Sequence, residues 1–372
     1  MKRFCFLTSA SRNYQFVILK RQAHTLMDNG FDVFFCVSDD GKSEVVNGIH
    51  YLPNGYSGGG YIKRLLTLAR LMYKTAATVD ADVYQIESPD LLRVGLKLKR
   101  KGKKVIFNLM EGYPFNFYKK TKLPHWIARM FVSVMSIHMK RALRNFDVVF
   151  AVSQDIMDYL GNWGLENAVL LGNFPEINKN YHLNKEDYLN RDDRVIYYGH
   201  IPETSYQENV ICAINKIPGV KYLLAGKFWS NNYKNRLALT DGWEKVEFID
   251  GFDRNQLPSI LSRCTISNTA RDLSGEKSSN GSLGIIKIFE SMEAALPVIL
   301  VDVPVYRQLV DEYHCGLLVD IHNVDSIKDA IQFLVSHKEE AYEMGQNGRK
   351  AVLEKYSWDQ ISKVYLSHIC AQ

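Results

Sequence analysis

Lys287 and Glu290 lie three residues apart in the run Gly284-Ile-Ile-Lys-Ile-Phe-Glu-Ser-Met-Glu-Ala-Ala-Leu-Pro297, which is followed by the apolar stretch Val298-Ile-Leu-Val-Asp302. The pattern is a glycine-containing loop, a helix that ends at a proline, and a buried strand. A helix start of this kind has unpaired backbone N–H groups and the positive end of the macrodipole, both of which suit a phosphate. Lys287 adds a cation in the first turn. Glu290, one turn further on, can accept hydrogen bonds from a ribose. The same spacing also describes an ordinary solvated helix face, so the residues by themselves leave both readings open.

The elements around this unit alternate strand and helix almost throughout. In the first half the pattern predicts strands at 3–8, 32–38, 49–52, 83–86, 104–109, 148–151 and 169–171, with helices over 13–29, 61–78, 89–100, 123–145 and 155–160. In the second half it predicts strands at 194–198, 222–225, 246–249, 264–267, 297–301 and 316–319, and closing helices over 326–337, 338–354 and 358–370. This is the rhythm of parallel sheets. Residues 176–193 are polar, rich in asparagine and aperiodic, and read as a linker. The expected organisation is a Rossmann-like domain over 1–175, the linker, a second Rossmann-like domain over 194–355, and a C-terminal helix over 356–372 that returns to the first domain. The fold class is α/β, two such domains facing each other across a cleft, with ligands at the carboxyl ends of the strands.

Composition narrows the function classes. The 372 residues are 46% hydrophobic and 12% aromatic, which is globular, and no segment has the roughly 18–20 apolar residues needed to span a bilayer. A cytosolic location is expected. Six cysteines and ten histidines form neither a C-x-x-C pair nor an H-x-x-x-H pattern, so no protein metal site is expected and the thiols read as reduced core residues. Net charge is +5, unevenly distributed: residues 1–178 contain 24 Lys and Arg against 15 Asp and Glu, and the remainder is acidic. An anionic partner for the first half follows, either a phosphate-bearing ligand or a membrane surface. Nucleic acid is not expected, because the basic run Lys97–Lys104 reads as a helix end and no RNA-reading motif accompanies it.

Several separated segments then agree in order with one family. They are Ala81–Leu92, Lys104-Val-Ile-Phe-Asn-Leu-Met-Glu-Gly-Tyr-Pro114, Ala151-Val-Ser153 and Asn173-Phe-Pro175, then Tyr198-Gly199, Leu224-Ala-Gly226, Val246-Glu-Phe248, Lys287–Met292, Leu296-Pro-Val-Ile299, Cys315–Asp320 and Tyr356-Ser-Trp358. The chain resembles retaining GT-B glycosyltransferases of the family 4 type, in particular bacterial members that build surface polysaccharides such as capsule or lipopolysaccharide. The resemblance implies transfer of a hexose or N-acetylhexosamine from a nucleotide-sugar, a UDP-sugar foremost, to a glycan or a polyprenyl-diphosphate-linked acceptor. No tightly bound cofactor is implied. By position Glu290 takes the ribose and Lys287 the diphosphate, where it also serves the chemistry of departure. Ser282, Leu283 and Gly284 border the donor, Gly199 and Gly226 let backbone approach the phosphates, and Phe252 borders the base.

The departures from the family pattern are specific. Ser282 stands where the first acid of an E-x(7)-E motif is usual, and His200 and Ser205 stand where relatives place Arg and Lys. Phosphate neutralisation then rests on Lys287, with Arg271 or Arg12 as further cations. On the acceptor side the familiar histidines are replaced by Met110-Glu111 and Glu87-Ser-Pro-Asp90, leaving Glu87 and Glu111 as carboxylates that orient or deprotonate an acceptor hydroxyl. These losses also admit a catalytically inactive GT-B protein acting as a binding or adaptor subunit, and a GT-B epimerase or phosphorylase is a further rival. Between Pro124 and Arg141, Trp126, Ile127, Met130, Phe131, Val134 and Met135 make a wide apolar face with basic residues at both ends. It is either a buried domain helix or an interfacial helix at the inner face of the cell membrane.

Overall fold

The computed structural model describes residues 1–11, 17–56, 58, 67–110, 125–179, 181–273 and 282–370. The chain forms two compact units, one of Met1–Asn173 with Ser362–Gln372, the other of Phe174–Ile361. Each is a sheet covered by helices.

The first unit has strands β1 (Lys2–Leu7), β2 (Phe31–Val37), β3 (Glu44–Val46), β4 (Ile49–Pro53), β5 (Val83–Ile86), β6 (Lys104–Leu109), β7 (Val148–Ala151) and β8 (Ala168–Leu170). Their spatial order is β3-β4-β2-β1-β5-β6-β7-β8. All pairings are parallel except the β3–β4 hairpin. Parallel strands are covered on both faces and so read as unbroken apolar runs; Phe4, Cys5, Phe6 and Leu7 of β1 are all fully buried. Phe6 stacks on Phe35 with centroids 4.5 Å apart, and Phe35 stacks in turn on Tyr51. β3 was not expected, because three exposed residues make no buried pattern.

The second unit has strands β9 (Arg194–Ile201), β10 (Lys221–Phe228), β11 (Val246–Asp250), β12 (Ile266–Asn268), β13 (Val298–Val301) and β14 (Gly316–Val319). They are ordered β11-β10-β9-β12-β13-β14 and all parallel. Each sheet reverses its winding once, between β1 and β5 in the first unit and between β9 and β12 in the second. At such a point successive connections leave to opposite faces and open a crevice beyond the strand ends, where open α/β sheets bind ligands.

Three local differences from the sequence expectation have plain causes. Residues expected to be aperiodic linker contain a helix, Lys185–Leu189, capped by Asn184. Its Tyr188 is buried and donates its hydroxyl to Thr265 O at 2.8 Å. The helix expected to run to Pro297 stops at Glu293, because Ala295 takes a left-handed conformation (φ 54°) that turns the chain into β13. The terminal helix Trp358–Cys370 has its residues from Ser362 in the first unit, where Tyr365 is fully buried against Phe150.

Helix Lys338–Glu354 lies against helix Ile286–Glu293, and a Cβ on Gly345 would overlap the Ala295 carbonyl. Gly161, which ends helix Gln154–Gly161, has open space where a Cβ would go. In urea unfolding, Gly345→Ala should therefore lose about 1–3 kcal/mol through overpacking, whereas Gly161→Ala should be neutral or gain up to about 1 kcal/mol. Equal effects from the two substitutions would contradict this packing.

Candidate active site

In the second unit, the carboxyl ends of three neighbouring strands carry glycines in conformations that side chains rarely adopt: Gly199 (φ 97°), Gly226 (φ 149°) and, directly after β11, Gly251 (φ 73°). Gly226 is the register partner of Gly199, and Gly251 N–H donates to Gly226 O at 3.0 Å. A Cβ on Gly226 would collide with the Gly199 carbonyl, so the close approach of β9 and β10 demands glycine there. The strand ends beside the β9/β12 reversal are thus bare backbone.

Lys287 reaches this bare region from helix Ile286–Glu293. Its Nζ lies 4.0 Å from the position a Gly199 Cβ would occupy and 4.1 Å from the centroid of the Tyr197 ring, over whose face it sits. Burial, and secondarily the charge of Arg271, brings the Lys287 ammonium down to about 7. Among the described residues, no carboxylate offsets this. An ammonium beside open backbone can meet an anion there.

The helix that carries Lys287 is docked by hydroxyl groups. Tyr198 on β9 donates to Lys287 O at 2.8 Å, Ser291 Oγ donates to the same carbonyl at 2.8 Å, and Ser267 Oγ on β12 lies 2.7 Å from Ser291 Oγ. Burial pushes the Tyr198 phenol far above its ordinary range, so it remains a donor. Glu290, 8% exposed, has its carboxylate ion-paired with the Arg254 guanidinium and 3.5 Å from the Tyr198 hydroxyl. The helix has no side-chain hydrogen bond from its N-cap Ile285 and no acidic residue in its first turn, so neither offsets its N-terminal dipole.

The other sequence candidates take varied places. Arg271, just past β12, is partly buried and near enough to act on both Lys287 and Tyr197. Phe252 follows Gly251 and packs on the core of the second unit. Ser282 accepts from Gly284 N–H at 3.1 Å and, through its carbonyl, from the Tyr306 hydroxyl at 3.2 Å, and Leu283 packs on the cluster around Phe289. His200 is exposed on β9 one residue past Gly199, its ring 6.4 Å from that of Trp229. Ser205 faces inward: it is fully buried and donates to Pro202 O. Arg12, Glu111 and residues 278–281 of the donor loop lie outside the described residues. Among the residues that sequence reasoning passed over, Arg254, Ser267 and Ser291 have the largest part in the site. Arg254 is distant in sequence from its partner Glu290, and no local spacing signals their meeting.

In the first unit, Glu87 follows β5 at the β1/β5 reversal. Its backbone N–H donates to Leu7 O at 3.0 Å, and Ser88 and Ser9 beside it are joined through hydroxyls 2.9 Å apart. The Glu87 carboxylate accepts from Gln85 Nε2 at 2.6 Å and from Asn108 Nδ2 at 2.9 Å. Burial outweighs these two donors and raises the carboxyl to about 7. Among the described residues no group of three His, Cys, Asp or Glu could hold a metal ion.

Residues 17–173 match the model of Glycosyltransferase Family 4, and residues 180–351 match that of Glycosyl transferases group 1. No curated protein sequence matches the chain. Solved structures similar to this one include sucrose-phosphate synthase from Thermosynechococcus elongatus, at 16% identity and a TM-score of 0.74, with 100% of each chain covered. Anabaena HepE in complex with UDP and glucose matches at 14% identity and a TM-score of 0.72, with 99% of each chain covered. WaaG, a glycosyltransferase involved in lipopolysaccharide biosynthesis, matches at 11% identity and a TM-score of 0.69, covering 99% of this chain and 100% of that one. With a glycosyltransferase domain matched on each half, and with the two Rossmann-like parallel sheets that these structures share, the chain is a glycosyltransferase of GT-B architecture, a Family 4 domain followed by a group 1 domain.

Proposed function

We propose that the enzyme transfers a hexose or N-acetylhexosamine from a UDP-sugar to a glycan or lipid-linked hydroxyl, with retention of anomeric configuration, in the building of a bacterial surface polysaccharide. The observation that carries this reading is the Lys287 ammonium beside the Gly199/Gly226/Gly251 backbone, with Glu290 one helical turn away. The diphosphate lies against the glycines and the helix start, with Lys287 as its main counter-charge and Arg271 as a second cation. Glu290 accepts from the ribose hydroxyls with lone pairs that the Arg254 ion pair leaves over. HepE has been solved with UDP-glucose, which supports a UDP-linked donor here.

In the transfer step the bond from the anomeric carbon to the diphosphate oxygen breaks as the bond to the acceptor oxygen forms on the same face. The acceptor proton passes to the departing diphosphate. Lys287 stabilises the charge that develops on that leaving group, which is where a fixed cation lowers the barrier most. Glu87, with Glu111, orients the acceptor hydroxyl.

Helix His125–Leu143 supports a membrane-associated acceptor. Ala128, Met139, Ala142 and Leu143 anchor it in the first unit, while Trp126 (70% exposed), Met130, Val134 and Ile137 form an open apolar stripe with Phe131 beside it. Lys140 and Arg141 close its last turn. No helix among the described residues is long and apolar enough to cross a membrane. The stripe lies in the interface of an anionic bilayer, at the inner face of the cell membrane, and brings the enzyme to a polyprenyl-diphosphate-linked acceptor.

Three measurements test this reading. Calorimetric titration should show UDP binding that Glu290→Ala weakens by about 1.5–3 kcal/mol, roughly ten- to a hundredfold. Absence of UDP binding at millimolar concentration would remove the donor assignment. Because Lys287 titrates near 7 when free and a diphosphate raises it, binding at pH 8 should take up a proton, and affinity should fall as pH rises above 7. Titration at pH 8 in buffers of different ionisation enthalpy reads that uptake, which Lys287→Met should abolish. Finally, the protein should sediment with vesicles containing anionic lipid at low salt, and Trp126→Glu with Val134→Glu should leave it in the supernatant. Equal sedimentation of the two proteins would rule out the apolar stripe as the contact.

A further inference from the structure

Behind Glu87 lies a chain of amide and phenol groups that the transfer reaction does not itself call for. Gln85 is fully buried, and its Nε2 donates twice, to Glu87 Oε1 at 2.6 Å and to Gln22 Oε1 at 2.8 Å. Its Oε1 accepts from the Tyr365 hydroxyl at 2.9 Å. A carboxamide has two faces of opposite polarity, and a carboxylate can use only the N–H side. We propose that Tyr365 is a positioning residue for Glu87: together with Gln22, its hydroxyl fixes the Gln85 amide with the NH2 toward the carboxylate and so holds Glu87 in its ionised, hydrogen-bond-accepting form. This rests on the acceptor-side role given to Glu87 above.

The surroundings favour this assignment. Tyr365 is fully buried, and burial together with the neighbouring Glu87 charge pushes its phenol well above the ordinary range, so it stays an O–H donor wherever the enzyme works. Gln85 and Asn108 are the described groups that favour the ionised form of Glu87 against its burial. Three titratable neighbours among the described residues are engaged elsewhere. Arg21, next to Gln22, donates to Asn173 Oδ1 at 2.9 Å, and His368, one turn after Tyr365, meets the edge of Phe150 and the Val364 carbonyl. Asp90, after β5, also has a partner of its own. Without the Tyr365 hydroxyl, the amide can turn its oxygen toward Glu87, and an oxygen there favours the protonated acid.

The test follows the Glu87 carboxyl directly, by 13C NMR of the whole protein labelled at glutamate side-chain carboxyls, with Glu87→Gln identifying the signal. No acceptor is needed. Tyr365→Phe and, separately, Gln22→Leu should each raise the Glu87 midpoint by about one pH unit, the effect of weakening one charge-assisted hydrogen bond. The rising limb of the transfer rate against pH should move with it. A purely structural role would lower the melting temperature of these variants and leave the midpoint in place, and that result would overturn the proposal. Should Tyr365→Phe fail to fold, Gln22→Leu carries the same test from the other end of the amide. A midpoint that moves while the pH–rate profile stays still supports the positioning and removes Glu87 from the acceptor reaction, so the two readings fail separately.

Discussion

The candidate site of the second unit depends on how one short helix is fastened to the sheet. Three hydroxyls, from Tyr198, Ser267 and Ser291, join helix Ile286–Glu293 to β9 and β12, and two of them end on the Lys287 carbonyl. Backbone held this way fixes the direction in which the Lys287 side chain leaves the helix. Apolar packing of Ile288, Phe289 and Met292 supplies most of the adhesion but tolerates sliding. Hydrogen bonds to a single carbonyl specify rotation and register.

From that fastening follow both the ammonium over the Tyr197 ring and the carboxylate at the Arg254 guanidinium. The two charges have opposite relations to their surroundings. Lys287 is buried with the Arg271 cation not far off, which disfavours its charged form until an anion arrives. Glu290 already has a cation, and its ion pair leaves lone pairs to spare. Each unit thus treats its winding reversal differently: one places a destabilised cation there, the other a carboxylate raised toward neutrality. Neither polarity is a property of the Rossmann-like fold itself, which supplies only the crevice.

Much of the architecture was legible because parallel strands buried on both faces leave apolar runs such as Phe4–Leu7 and Val195–Tyr198, and because glycines closing β9 and β10 stand out. Lys287 and Glu290 could be paired since helical spacing places i and i+3 on one face. What escaped had no local signature. β3 is three exposed residues, and the helix around Tyr188 hides in a polar segment because only one of its residues is fully buried. Arg254 meets Glu290, and Tyr365 meets Gln85, through tertiary packing alone. The offsets that locate His200 and Ser205 likewise say nothing of which way a side chain points: the first is an exposed ring and the second an inward hydroxyl.

The return of the chain end to the first unit also orders events during synthesis. Residues up to Asn173 leave the ribosome first and hold every strand of their sheet, yet Tyr365 and the Ile369 carbonyl that receives Lys104 are made only after the second unit. At elongation rates of about 5–20 residues per second, the nascent first unit waits roughly ten to forty seconds for helix Trp358–Cys370. Through that interval Gln85 has no phenol to orient it, and the surface that Tyr365 will cover stays open. The hydrogen-bond chain behind Glu87 is therefore completed late, after every residue of the candidate site in the second unit has been made.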